Sequence, residues 1–241
     1  LINQVREAGG LAFIAHPDDP AAPAFHETDI SWVDWSVQNY TGIELWNALS
    51  ELKTVVPTKL HAIFLAYFPA LIAHNPIPAT MAKWNELLSE GRRVVAIGGS
   101  DAHALKLGMG PISRVIFPYE FHFRGINTHV ILTEPLTGDS NADRKLVYEA
   151  MGNGRAFVAY DLPAPAKGFR FTGQGHDKTA CMGEEIPAKG GVTLQAKLPL
   201  AAELRLIKDG QVLKKWDRQT LCTHITTEPG VYRIEAYRNY L

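Results

Sequence analysis

Between Leu11 and Ala15 every residue is apolar, and the run stops at His16-Pro17. An unalternating apolar run of this length reads as a strand buried on both faces, and proline ends it because it brings no N–H to a ladder. The pattern returns twice. A helix from Thr80, acting as its cap, through Leu88 is closed by Gly91 and feeds Val94-Val95-Ala96-Ile97 and the turn Gly98-Gly99-Ser100-Asp101. A second helix, from about Ala142 to Met151, ends at Gly152-Asn153-Gly154 and feeds the apolar stretch Ala156 to Tyr160. Gly42 to Asn47, Arg114 to Phe117 and Thr128 to Leu132 add further strand segments. Helix feeding buried strand, repeated, predicts an α/β fold with a parallel sheet.

From Pro163 the grammar changes. Pro163-Ala164-Pro165 reads as a stiff linker, and short alternating strands follow at near ten-residue spacing, with a hairpin turn at Lys208-Asp209-Gly210-Gln211. This predicts a small all-β sandwich over residues 168–241, behind a first domain over 1–162. Charge divides the same way: residues 1–160 hold 12 basic and 16 acidic residues, and 161–241 hold 12 and 9. The overall charge of -1 offers no basic stripe for nucleic acid and no polybasic segment for an anionic membrane. The longest apolar stretch, Leu60 to Ala73, contains His61 and breaks at Pro69, short of the roughly 20 residues a bilayer requires. It reads as a buried helix pair. Cys181 and Cys222 read as free thiols sooner than as a disulfide. The chain opens without a Met, as if partway through a helix (Leu1 to Ala8), as expected of a processed product or a fragment, so it offers no reading of compartment.

In parallel sheets, functional groups gather at the carboxyl ends of strands. Here three such ends carry metal-type ligands: His16 closes the first, Glu44 and Asn47 close the second, and Asp101 with His103 follows the third. Imidazole and carboxylate together suit Zn, Mn or Fe. A single histidine at a strand end is more often structural; three strand ends in succession are less easily explained so. By the same weighing, His26 reads as part of a solvated acidic loop and His129 as a packed core residue. His61, His74, His122, His176 and His224 read as structural or surface. The aromatic residues Tyr119 to Phe123, Trp32, Trp35 and Trp46 fit a pocket rim or plain core packing equally well.

Ala15-His16-Pro17, Gly42-Ile43-Glu44-Leu45-Trp46-Asn47 and Gly99-Ser100-Asp101-Ala102-His103 resemble the later motifs of the PHP (polymerase and histidinol phosphatase) metallohydrolases. The resemblance is to the carbaryl-hydrolase-like branch, in which a β-sandwich follows the PHP domain. It implies a distorted (β/α)7 barrel, incomplete at its N-terminus in this chain, holding up to three divalent ions in the complete protein. It places His16, Asp101 and His103 at metal-ligand positions and Glu44 near the site, with Asn47 and Glu44 orienting a ligand or bound water. The family's opening His-x-His has no counterpart here, so the chain is expected to be the C-terminal part of a longer protein. The function implied is metal-dependent hydrolysis of a phosphoester or related small ester by activated water. The alternative is a non-catalytic binding protein with a decayed barrel and a ligand- or partner-binding β-sandwich. A polymerase-associated nuclease is disfavoured by the absence of clustered Lys and Arg.

Overall fold

The computed structural model describes residues 1–109 and 112–239. In chain order it contains α1 (Ile2–Glu7), β1 (Phe13–Ile14), β2 (Gly42–Asn47), α2 (Ala48–Val55), α3 (Lys59–Tyr67), α4 (Pro78–Ser89), β3 (Val95–Gly99), β4 (Leu105–Met109), β5 (Ile112–Ile116), α5 (Tyr119–Phe123), β6 (Ile126–Val130), α6 (Ser140–Gly152) and β7 (Ala156–Tyr160). Five strands follow: β8 (Arg170–Gln174), β9 (Thr179–Cys181), β10 (Val192–Lys208), β11 (Gln211–Thr226) and β12 (Tyr232–Tyr237). The chain divides into two compact units, one of Leu1–Met81, Ala96–Thr128 and Val158–Pro163, the other of Ala82–Val95, His129–Phe157 and Ala164–Leu241.

In the first unit, β1 and β2 pair in parallel, Phe13 opposite Gly42 and Ile14 opposite Ile43, and β3 completes a three-stranded sheet in the order β1-β2-β3. Two features tie this sheet to its surroundings. Thr128 Oγ1 accepts from Gly98 N and donates to Gly98 O, both at 2.8 Å. A Cβ on Gly98 would collide with Val158 Cγ1 and stand 3.0 Å from Trp46 O, so only glycine fits there. Asn47 closes β2 and caps α2 through Ser50 N. Val56, Leu65, Ile72 and Phe117 form an apolar cluster beneath the helices that follow.

The expected (β/α)7 barrel is absent. Closing a barrel requires every strand to be paired on both sides, whereas the described strands of this region form an open three-stranded sheet and two separate pairs, β4–β5 and β6–β7. The physical cause lies after β3. No helix returns the chain there; β4 and β5 instead form an antiparallel hairpin, Leu105 opposite Ile116 and Met109 opposite Ile112. The opening strand is also only two residues long, too short to carry a second neighbour along the whole Leu11–Ala15 run. Helix α4 begins at Pro78, and Thr80, instead of capping it, donates from Oγ1 to Asp18 Oδ2 at 2.7 Å. Nor is the Leu60 stretch a buried pair. Leu60, Ile63, Phe64, Tyr67 and Phe68 are exposed, and only Leu65 and Ala66 of α3 are buried.

The second unit also departs from expectation. The segments Val192–Ala196 and Leu204–Ile207 are one strand, β10, paired along its length with β11, with β8 through Thr193–Lys197 and with β12 through Glu203–Lys208. All five strands therefore belong to one antiparallel sheet. Val192 and Leu206 lie about 46 Å apart along a straight strand, yet they share one apolar cluster with Phe171, Trp216 and Tyr232. The strand must fold back between them, and its register with β11 shifts between Lys197 and Leu204. A single curled sheet thus replaces the expected sandwich. Cys181 and Cys222 are both free. No helix among the described residues is long and apolar enough to cross a membrane.

Candidate functional site

Glu44 is the centre of the strand-end cluster. It lies on β2, and its Oε2 accepts the backbone N–H of His16 at 2.8 Å and Asn47 Nδ2 at 3.1 Å. Its Oε1 comes within 3.3 Å of where a Cβ on Gly99 would stand, so the glycine at the end of β3 leaves room for the carboxylate. Burial pushes the Glu44 carboxyl above its ordinary value; the two hydrogen bonds oppose this and the charge of Asp101 adds to it. Asn47 is buried and serves two neighbours, its Oδ1 accepting from Ser50 N and its Nδ2 orienting Glu44.

His16 follows β1 with φ at +31°, and Asp101 follows β3 with φ at +49°. Both are left-handed positions that disfavour a side chain with Cβ, at a cost of roughly 1–3 kcal/mol each. The Nδ1 atom of His16 is buried with no hydrogen-bond partner, 3.9 Å from Asp19 Oδ2. Asp19 is itself held by Lys53, whose Nζ stands 2.9 Å from Asp19 Oδ1 and 2.9 Å from Glu27 Oε2. On the other side, His103 Nδ1 lies 2.7 Å from the carbonyl oxygen of Asp101. A carbonyl only accepts, so Nδ1 carries the proton and the neutral ring keeps its lone pair on Nε2. The His103 side chain is 53% exposed, which leaves that nitrogen open to a ligand.

The structure therefore joins His16, Glu44 and Asn47 by hydrogen bonds, joins Asp101 to His103, and sets Glu44 and Asp101 close enough to couple electrostatically. It does not bring three of these side chains into one cage: among the described residues, no group of three or more His, Cys, Asp or Glu is placed to hold an ion. No family model, curated protein or solved structure matches this chain. The site has to be judged on its own geometry.

One histidine read as structural or surface lies close by. His122 on α5 is 3% exposed, and its Nδ1 is buried without a hydrogen-bond partner. Burial lowers its pKa, and the nearby His103 lowers it further. The signal in the sequence was weak: Phe121 and His122 turn towards Phe117, which lies just before a five-residue helix too short for periodicity to show an inward face. His122, Ser100, Tyr160, Ile126 and Phe117 line a cavity of about 20 Å³, room for one water molecule. His26 is exposed, and His129 is stacked on Phe157 at 4.6 Å, both outside the cluster. Trp46, from β2, donates from Nε1 to Glu51 Oε2 at 2.7 Å and faces Tyr160, ring centroids 6.4 Å apart.

Proposed function

We propose that the first unit is a metal-dependent hydrolase of phosphoesters or related small esters. The observation that carries this reading is the pair of left-handed residues, His16 and Asp101, standing at the ends of β1 and β3 on either side of the half-buried Glu44 carboxylate of β2. Backbone strain of this kind persists only where the surroundings over-determine it, and it concentrates at functional sites.

The donor set fits a loosely held divalent ion, not a closed cage. The unpartnered Nδ1 of His16 and the raised carboxyl of Glu44 are what a cationic centre would satisfy. Among the described residues no three side chains converge, so an ion held here would complete its shell with water and substrate oxygens. Of Zn, Mn and Fe, Mn fits that description best. Asp101 and, through Nε2, His103 would hold the ion, while His16, the third expected ligand, does not converge with them; when bound, the ion would polarise the ester and acidify water. The chain's own residues do the rest. Asn47 Nδ2 and the His16 N–H fix Glu44 Oε2, which leaves Oε1, beside Gly99, to take a proton. A carboxyl raised by burial is better matched to that task near neutrality than an exposed one.

The test is hydrolysis of aryl phosphomonoesters, phosphodiesters and carboxylesters by the Mn-loaded chain. Asp101→Ala and His103→Ala should each cut turnover at least 100-fold, while His224→Ala in the second unit should leave it unchanged. Wild-type turnover in both strand-end variants overturns the proposal, and ligand capture without any hydrolysis would favour a binding protein.

A further inference from the structure

The Asp101 conformation needs something to enforce it. Ser100, immediately before it, is 9% exposed. Its Oγ donates to the carbonyl of His122 at 2.6 Å and accepts the N–H of Ile126 at 3.1 Å, with Ile126 O at 3.3 Å. One hydroxyl thus joins the end of β3 to both sides of the corner between α5 and β6. The corner is shaped to receive it: a Cβ on Gly125 would stand 2.8 Å from Ser100 Oγ, closer than real Cβ atoms come, and 3.1 Å from His122 O, a tight contact. Gly125 carries no left-handed φ, so it is the hydroxyl's space, not backbone conformation, that requires glycine there.

We propose that Ser100 is a positioning residue: its hydroxyl, seated against the bare Cα of Gly125, holds the turn at the end of β3 so that Asp101 keeps the left-handed conformation its role demands. A side chain that only capped the strand could as well be satisfied by water. Here the partners are backbone groups of two buried residues, His122 on α5 and Ile126 on β6, fixed relative to each other by the corner itself. Losing the hydroxyl unties the residue before Asp101 and lets it relax towards an ordinary φ. The proposal rests on the reading of Asp101 as an ion ligand, and its test keeps the two apart.

The test is Mn²⁺ affinity of the full chain, by calorimetric titration, at a temperature where circular dichroism shows each variant folded. Ser100→Ala should weaken binding about tenfold or more, and Ser100→Thr, which keeps the hydroxyl, should restore most of the loss. Gly125→Ala, which leaves Ser100 in place but crowds its oxygen, should weaken binding independently. Because Ser100 acts through Asp101, Ser100→Ala should add nothing in an Asp101→Ala background. Affinity within twofold of wild type in both Ser100→Ala and Gly125→Ala, with only the melting temperature lowered, overturns the positioning role. So does a Ser100→Ala effect that persists without Asp101. Unchanged Mn²⁺ affinity in Asp101→Ala itself sinks the ion-site reading first and this inference with it.

Discussion

Two aspartates share a left-handed backbone, and the contrast between them separates turn chemistry from site chemistry. In the second unit, Asp209 (φ +49°) precedes Gly210 (φ +81°) between β10 and β11. Positive φ at both central residues is what a two-residue hairpin turn requires, and Asp-Gly supplies it at low cost. Asp209 Oδ1 also accepts Val231 N at 2.7 Å. In the first unit, Asp101 has the same φ of +49° but closes no hairpin; it follows β3 beside the half-buried Glu44. His16, with φ at +31°, repeats the situation after β1. The same dihedral is explained by local geometry in one unit and by its surroundings in the other.

The largest effects should come from the cores and should keep the two regions distinct. Leu204 and Ile43 are both fully buried, so either truncation to Ala should cost about 2–5 kcal/mol. In urea unfolding, Leu204→Ala should lower the midpoint while Mn²⁺ binding at the strand ends survives in the folded fraction. A comparable loss of ion affinity from Leu204→Ala would erase the distinction between the regions.

A second, smaller contrast lies in pH. Glu44 and Glu51 of the first unit both titrate above the ordinary carboxyl value of 4.5, in each case chiefly through burial. Between the unfolded value and the raised folded value, the native state holds more protons than the unfolded one, so stability falls as pH rises through that window. Glu184 and Glu228 of the second unit are lowered instead, Glu184 mainly by the N–H of Cys181 and Glu228 mainly by Lys208. Their contribution is present above the ordinary value and fades as pH falls. Without added ion, Glu44→Gln should therefore flatten part of the decline in urea midpoint as pH rises above the ordinary carboxyl value of 4.5, whereas Glu228→Gln should leave it in place. An unaltered decline in Glu44→Gln would show that its carboxyl is not the titrating group.

Smallest are the backbone effects. Asp101→Gly should be more stable than Asp101→Ala by about 1 kcal/mol, since glycine accepts the left-handed conformation. At Asp209 the same comparison should give a similar gap, and Asp209→Asn should be nearly neutral because Asn suits the turn. Equal stability of the Gly and Ala variants at Asp101 would mean that the left-handed backbone there carries no strain.

Individual elements were legible wherever burial is local. Strands Gly42–Asn47 and Ala156–Tyr160 and the Asp-Gly turn stand where the pattern puts them, because apolar runs and turn residues record the faces a segment buries. What they do not record is which strand lies beside which. Nothing in Leu105–Met109 distinguishes a hairpin arm from a barrel strand, and Val192 to Lys208 reads as two strands because the Pro199 region interrupts the alternation without ending the ladder. His16, Glu44, Asn47, Asp101 and His103 could be named from their places after apolar runs. Ser100, Gly125 and His122 could not, because their roles depend on a corner formed by residues more than twenty positions apart in the chain.

The central claim is that the cluster around Glu44 binds a divalent ion. Titration of the chain with Mn²⁺, followed by electron paramagnetic resonance of the free ion, tests it most directly. The account predicts one bound Mn²⁺ per chain, its affinity strongly weakened in Asp101→Ala and His103→Ala and unchanged in His224→Ala. Absence of binding by the wild-type chain, or binding that Asp101→Ala and His103→Ala leave intact, would contradict it.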